Sequence, residues 1–155
     1  MPSTPTPKAV ARTLIEMAAK KGVAVTNLKL QKLLYFAHGF MLAQHGRPLI
    51  SEPFEAWQYG PVVESLYHDL KIFGTGRIGP KDGFVPVWPE LPANAAEERE
   101  AIGAVLDQLG GNSASELIRI SHDANGPWHA VFKANTKNIR IDDAAIAAYF
   151  KTVLR

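Results

Sequence analysis

The chain has no cysteine among its 155 residues, which excludes disulfides, thiolate metal sites and a cysteine nucleophile. No apolar run approaches the ~18 residues that a membrane span needs. The opening "MPSTPTPK" lacks the apolar stretch of a signal peptide. Residues 1–6 are therefore expected to be a disordered tail, and the cytoplasm is the expected compartment. No H-E-x-x-H and no G-x-S-x-G is present, so two common hydrolytic frameworks are missing. "GTGRIG", Gly74 to Gly79, has the letters of a dinucleotide loop. That loop needs a strand before it and a helix after it, whereas here a helical pattern precedes it and prolines follow. Net charge is also small, at +2.

What is present suffices for one domain, expected over residues 7–155, with 46% hydrophobic residues to build a core. The small net charge hides a segregation along the chain. Residues 1–47 carry +6, residues 48–116 carry −7 and residues 117–155 carry +3. Such a split yields either a polarised surface that steers a charged partner or segments that interleave in space and cancel.

Helical periodicity dominates. A first helix starts at Thr6 or Pro7, with Ala11, Leu14, Ile15 and Ala18 on one stripe and Gly22 as its stop. A second, "TNLKLQKLLYFAHGFMLAQHG", starts at Thr26 or Asn27. Leu30, Leu33, Leu34, Ala37 and Met41 form its stripe, and Tyr35, Phe36 and Phe40 widen it to the point where the helix should be central. Gly39 in its middle predicts the close passage of another backbone. Lys29, Gln31 and Lys32 mark its expected wet side. Asn94 is expected to cap a helix with stripe Ile102, Val105, Leu106 and Leu109, Ser113 with Glu116 forms a capping-box pattern, and Asp142 caps a last helix with Ile141 and Ile146 spaced as a hydrophobic staple.

Between these lies "EAWQYGPVV", Glu55 to Val63, echoed by "NGPWH", Asn125 to His129. "FEAWQ" alternates like a short strand. Gly60-Pro61 and Gly126-Pro127 both read as helix starts, with the neighbouring aromatics Trp57 and Trp128 anchoring them. Residues 75–94 hold too many glycines and prolines to be helical throughout, and "FVPVW" within them is a candidate edge strand beside "FEAWQ". The predicted fold class is mainly α: one compact domain of six or seven helices with a small β hairpin.

Three kinds of site compete. His38 and His45 lie seven residues apart on one helix but lack a third ligand, so no metal is expected. Ser121, His122 and Asp123 invite a hydrolase reading, yet neighbours on a helix point apart and no oxyanion site is evident. A DNA-binding regulator would use Lys29 and Lys32 on one exposed basic face, although that helix is apolar nearly all round, unlike a recognition helix. A protein-binding surface needs an aromatic or apolar anchor with a polar rim, for which Tyr59, Trp128, Lys29, Gln31 and Lys32 are candidates.

The joint occurrence, in order, of "LKLQKLLYFA", "WQYGPVV" and "HDANGPW" resembles the Panacea domain, the SocA-like or GepA-like family. The resemblance runs roughly from Val23 to Ala134. Trp57, Gly60, Pro61, His122, Gly126 and Pro127 fall on its hallmarks, with Ser121 where threonine is commoner. It implies a non-enzymatic antitoxin without a cofactor, bacterial or phage-borne. Its partner would be a cognate toxin bound directly, and some members of the family act as adaptors presenting a toxin to an ATP-dependent protease. The resemblance implies no membrane partner, and nucleic acid is the weaker alternative.

Overall fold

The computed structural model describes residues 3–154. Among them the order is α1 (Pro7–Lys20), α2 (Asn27–His45), β1 (Phe54–Trp57), β2 (Gly60–Val62), α3 (Glu64–Leu70), α4 (Ala96–Leu109), α5 (Ala114–Ser121), α6 (Pro127–Val131), β3 (Arg140–Ile141) and α7 (Asp143–Val153). Two short 3₁₀ turns, Lys71–Phe73 and Val85–Val87, join α3 to α4. The chain is mainly α, with one small antiparallel sheet.

The helix starts follow local chemistry. The Thr6 hydroxyl accepts from Ala9 N–H, with Pro7 opening α1. Thr26 accepts from Lys29 N–H, and α2 closes at Gly46 with φ +68°, a left-handed cap suited to glycine. Ser113 and Glu116 complete a capping box on α5. Asp142 caps α7, and Ile141 and Ile146 of the staple are both buried. Asn94 does not cap α4. Its main-chain carbonyl accepts from Ala96 N–H and the cap position falls on Ala95, so backbone makes the turn there. Of the expected tail, Met1 and Pro2 lie outside the described residues. Within residues 3–6, the Pro5 carbonyl accepts from Ser51 N–H at 2.9 Å.

Helix α2 is the axis of the fold, touching α1, α3, α4, α5, α7 and β2. Residues 30–39 are buried without interruption, the signature of a helix covered on all sides. This overturns the expected wet side: Gln31 and Lys32 are each 0% exposed. Gly39 is explained by an aromatic ring and not by a second backbone, since a Cβ placed there would lie 2.3 Å from the Phe150 ring of α7. His38 ties α2 to two other segments. Its Nδ1 accepts from the N–H groups of Leu49 and Ile50 at 3.3 Å, which puts the ring proton on Nε2, and Nε2 donates to Asp143 Oδ1 at 2.8 Å.

The sheet has the order β2-β1-β3. Glu55 faces Val62 and Trp57 faces Gly60 across the β1–β2 hairpin, while Phe54 faces Ile141 on the other edge. The first Gly-Pro is thus a strand and not a helix start: Gly60 has φ +102°, Pro61 sits in β2, and α3 begins only at Glu64 with Val63 as its cap residue. Gly126-Pro127 does open α6, with Pro127 at its first position. "FVPVW" is not a strand either. Val85 and Trp88 turn inward from a 3₁₀ turn, and the second neighbour of β1 comes from Arg140–Ile141.

The charge segregation resolves by interleaving. Arg12 pairs with Glu90, Lys21 with Asp107, and Arg47 with both Glu97 and Glu98, so basic N-terminal side chains meet acidic ones from the middle third. Among the described residues no helix is long and apolar enough to cross a membrane.

Candidate functional site

Gln31, Lys32, Trp57, Gly60, Pro61, His122 and Trp128 converge on one place where α2, the β1–β2 hairpin, α5 and α6 meet, whereas Lys29 reaches the end of α4. Lys32 runs inward from α2 and its Nζ donates to the Pro61 carbonyl at 2.7 Å. One residue earlier, Gln31 Oε1 accepts from Val63 N–H at 3.0 Å, while its amide donates to Asn27, which in turn donates to the Tyr67 carbonyl. These bonds satisfy buried backbone groups at the end of β2 and a partly buried carbonyl on α3. Burial alone pushes the Lys32 ammonium down to about 7, since a charge surrounded by apolar atoms loses its hydration.

Gly60 closes the same knot. A Cβ at that position would sit 2.7 Å from both Lys32 Cε and Ser121 Oγ, and the positive φ would strain any L side chain. From the opposite side, Trp128 Nε1–H donates to the Trp57 carbonyl at 2.8 Å, so the two Gly-Pro segments are bonded to each other. The Trp128 ring stacks on His122 at 3.7 Å and on Phe132 at 4.6 Å. Trp128 is buried and supports the hairpin from within, which removes it as a surface anchor.

The hydrolase arrangement is not assembled. Ser121 Oγ donates to the Ile118 carbonyl, and Asp123 accepts from the Tyr149 hydroxyl at 2.7 Å and from Asn125 N–H. Burial, then the charges of Lys32 and His129, hold His122 below its ordinary value. Nor is there the exposed lysine face that a DNA-binding helix would require. Lys32 is interior, and the half-buried Lys29 donates to the Gly110 carbonyl at 2.7 Å. His38 has both ring nitrogens engaged, and among the described residues no cluster of three metal-ligating side chains occurs.

What faces solvent is the hairpin tip. Tyr59 is 57% exposed, beside a cavity of about 500 Å³ lined by Trp57, Tyr67, Lys71 and Asn27. A second cavity, of about 600 Å³, opens on the other side of Trp57 and Gln58. Its floor holds Glu55, whose Oε1 accepts from Trp57 Nε1–H at 3.0 Å, with Glu64 and His68 from α3 beside it and Phe132 across it. Burial raises the Glu55 carboxyl above its usual range and the neighbouring Glu64 adds to this, against the indole hydrogen bond. Glu55, Glu64, His68 and Phe132 were not singled out from the sequence. The i, i+2 spacing of Glu55 and Trp57 on one strand face was the available signal.

Such a structure defines a class: a helical module organised on one central helix buried along residues 30–39, with the hairpin tip left to solvent. The chain belongs to the antitoxin SocA-like, Panacea domain family, whose model matches residues 30–129. It is 36% identical over 153 residues to Antitoxin SocA of Caulobacter vibrioides (strain NA1000 / CB15N), a match covering 93% of this chain and 81% of that protein. No solved structure matches it. Helices α1 and α7 lie outside the residues matched by the family model, yet both pack on α2.

Proposed function

We propose that this chain is a non-enzymatic antitoxin that neutralises a protein toxin by direct binding in the cytoplasm. The observation that carries the reading is the match to Antitoxin SocA over nearly the whole chain. Ser121 and Asp123 are each engaged by other partners, Ser121 with the Ile118 carbonyl and Asp123 with the Tyr149 hydroxyl, which accords with a binding role. The contact surface in this reading is the hairpin tip with Tyr59, together with the exposed apolar side chains of the adjoining turns, Ile72, Phe84 and Val87. The Phe73 ring lies against Gly83 and closes that segment on itself, bringing the two turns toward each other. Apolar side chains exposed in this way are suited to burial against a partner.

The test is expression of the gene next to this one in a bacterial host, alone and together with this protein. Toxicity alone with growth restored by co-expression, and recovery of the pair in a pull-down, is the expected result. Toxicity unrelieved by this protein overturns the reading. The toxin's half-life in rescued cells separates the two routes: an unchanged half-life means occlusion, and a shortened one that lengthens in a protease-deficient host means delivery to an ATP-dependent protease.

A further inference from the structure

The chain between α3 and α4 is pinned to the core and yet holds apolar side chains out to water. Ile78, Val85 and Trp88 are buried, and Ile78 N–H donates to the Val25 carbonyl at 2.8 Å. The Phe73 ring packs so closely on Gly83 that a Cβ there would lie 2.7 Å from it. Between these fixed points Ile72 is 79% exposed, Phe84 68% and Val87 78%. Phe84 and Val87 stand three apart across a 3₁₀ turn, joined by a main-chain hydrogen bond of 3.0 Å, so they project from the same side. With the backbone anchored, a partner meets these side chains already in place and little ordering is left to binding. The cavity of about 500 Å³ beside Tyr59 adjoins them, since Lys71, Gly74 and Thr75 help to line it.

The charge on this segment points to what it meets. Residues 48–116 carry −7, yet three of their four basic residues, Lys71, Arg77 and Lys81, fall within it. All three are exposed, and among the described residues none forms an ion pair or a side-chain hydrogen bond, whereas Arg12, Lys21 and Arg47 each find a carboxylate. The segment's one acid, Asp82, is turned back on its own loop, where Oδ2 accepts from Gly79 N–H at 2.7 Å. Cations without counter-charges beside protruding apolar groups complement an acidic surface that carries an apolar anchor. A lipid surface would leave the adjoining cavity unfilled, and a phosphate backbone would gain nothing from Ile72 or Val87. We propose that the partner docks here through an acidic segment, its carboxylates meeting Lys71, Arg77 and Lys81 and one large apolar side chain entering the cavity beside Tyr59. The inference rests on the antitoxin reading, in which that partner is the toxin.

The test titrates the full chain with the protein encoded by the adjacent gene, made by cell-free synthesis, at low and high salt. Binding that weakens as salt rises is expected. The combined variant Lys71→Glu, Arg77→Glu and Lys81→Glu should lose at least about tenfold in affinity at low salt, mostly through slower association, and Ile72→Ser should weaken binding at either salt. The control of equal net charge, Lys133→Glu, Lys137→Glu and Lys151→Glu, changes three exposed lysines elsewhere and should bind as the wild type does. All these side chains are exposed, and circular dichroism verifies that each variant is folded. Undiminished binding by the first variant, or an equal loss in the control, overturns the proposal and leaves the antitoxin reading standing. No binding by the wild-type chain removes direct neutralisation and this inference with it. Co-sedimentation with phosphatidylglycerol vesicles that the first variant abolishes, with toxin binding intact, gives the surface to a membrane and also overturns the proposal.

Discussion

Lys32 makes the stability of this protein depend on pH in an unusual direction. In the unfolded chain its ammonium titrates near 10.4, whereas in the fold burial brings it to about 7. Between those values the unfolded state holds a proton that the folded state has released, so stability rises as pH rises. The slope approaches ~1.4 kcal/mol per pH unit, which amounts to roughly 2 kcal/mol gained between pH 7 and pH 9. Below pH 7 both states are protonated and the full cost of burying the charge is present. The window stops short of pH 10, where Tyr149, raised to about 12 by burial and by Asp123, begins to act in the opposite sense. Urea unfolding at pH 7, 8 and 9, followed by circular dichroism, measures the gain. In Lys32→Met the rise should vanish, because no titrating group remains, while the Pro61 carbonyl loses its donor at a cost of about 1–3 kcal/mol. The stability difference between the two proteins should therefore shift by roughly 2 kcal/mol in favour of the wild type from pH 7 to pH 9. A flat wild-type profile, or an equal rise in Lys32→Met, refutes the argument and would mean that the amine keeps its hydration or finds a counter-charge.

Four further outcomes follow from the same geometry. Gly60→Ala should cost roughly 2–4 kcal/mol in thermal or urea unfolding, because a left-handed φ and a collision with Lys32 and Ser121 act together. Trp128→Phe keeps the stack with His122 and Phe132 but leaves the Trp57 carbonyl without its donor, for an expected loss of about 1–3 kcal/mol. Gly39→Ala should destabilise by about 1–2 kcal/mol despite alanine's better helix propensity, and Phe150→Leu in that background should cost less than it does alone, a coupling that a double-mutant cycle reads directly. Tyr59→Ala should leave the unfolding midpoint within experimental error, since its side chain is exposed, while weakening toxin capture in the pull-down; unchanged capture would remove the hairpin tip from the contact surface.

Residues whose role is local were legible before the fold was known. Thr6, Thr26, Ser113 and Asp142 each cap the helix expected of them because a hydroxyl or carboxylate preceding an apolar stripe has only nearby N–H groups to bond. The crowding of apolar side chains around α2 likewise announced a central helix. The errors arose where one local pattern admits two structures. Gly-Pro opens α6 but continues a strand at Gly60-Pro61, since a proline suits either an edge strand or a first helical turn, and pairing with Trp57 decides between them. Asn94 was one residue from the observed cap, within the usual fraying of helix ends.

The sequence by itself determined the caps at Thr6, Thr26, Ser113 and Asp142, the apolar stripes, the centrality of α2 and the family, because these are carried by spacing along the chain. Only the tertiary structure decided that Lys32 and Gln31 lie inside. Their polar ends are needed by the Pro61 carbonyl and the Val63 N–H, which arrive from a hairpin about thirty positions away and which no helical periodicity can foresee. The same holds for the acidic cavity. Glu55 and Trp57 share a strand, but Glu64, His68 and Phe132 reach them from α3 and from beyond α6, and only the folding of those segments onto one sheet face brings them to line one cavity.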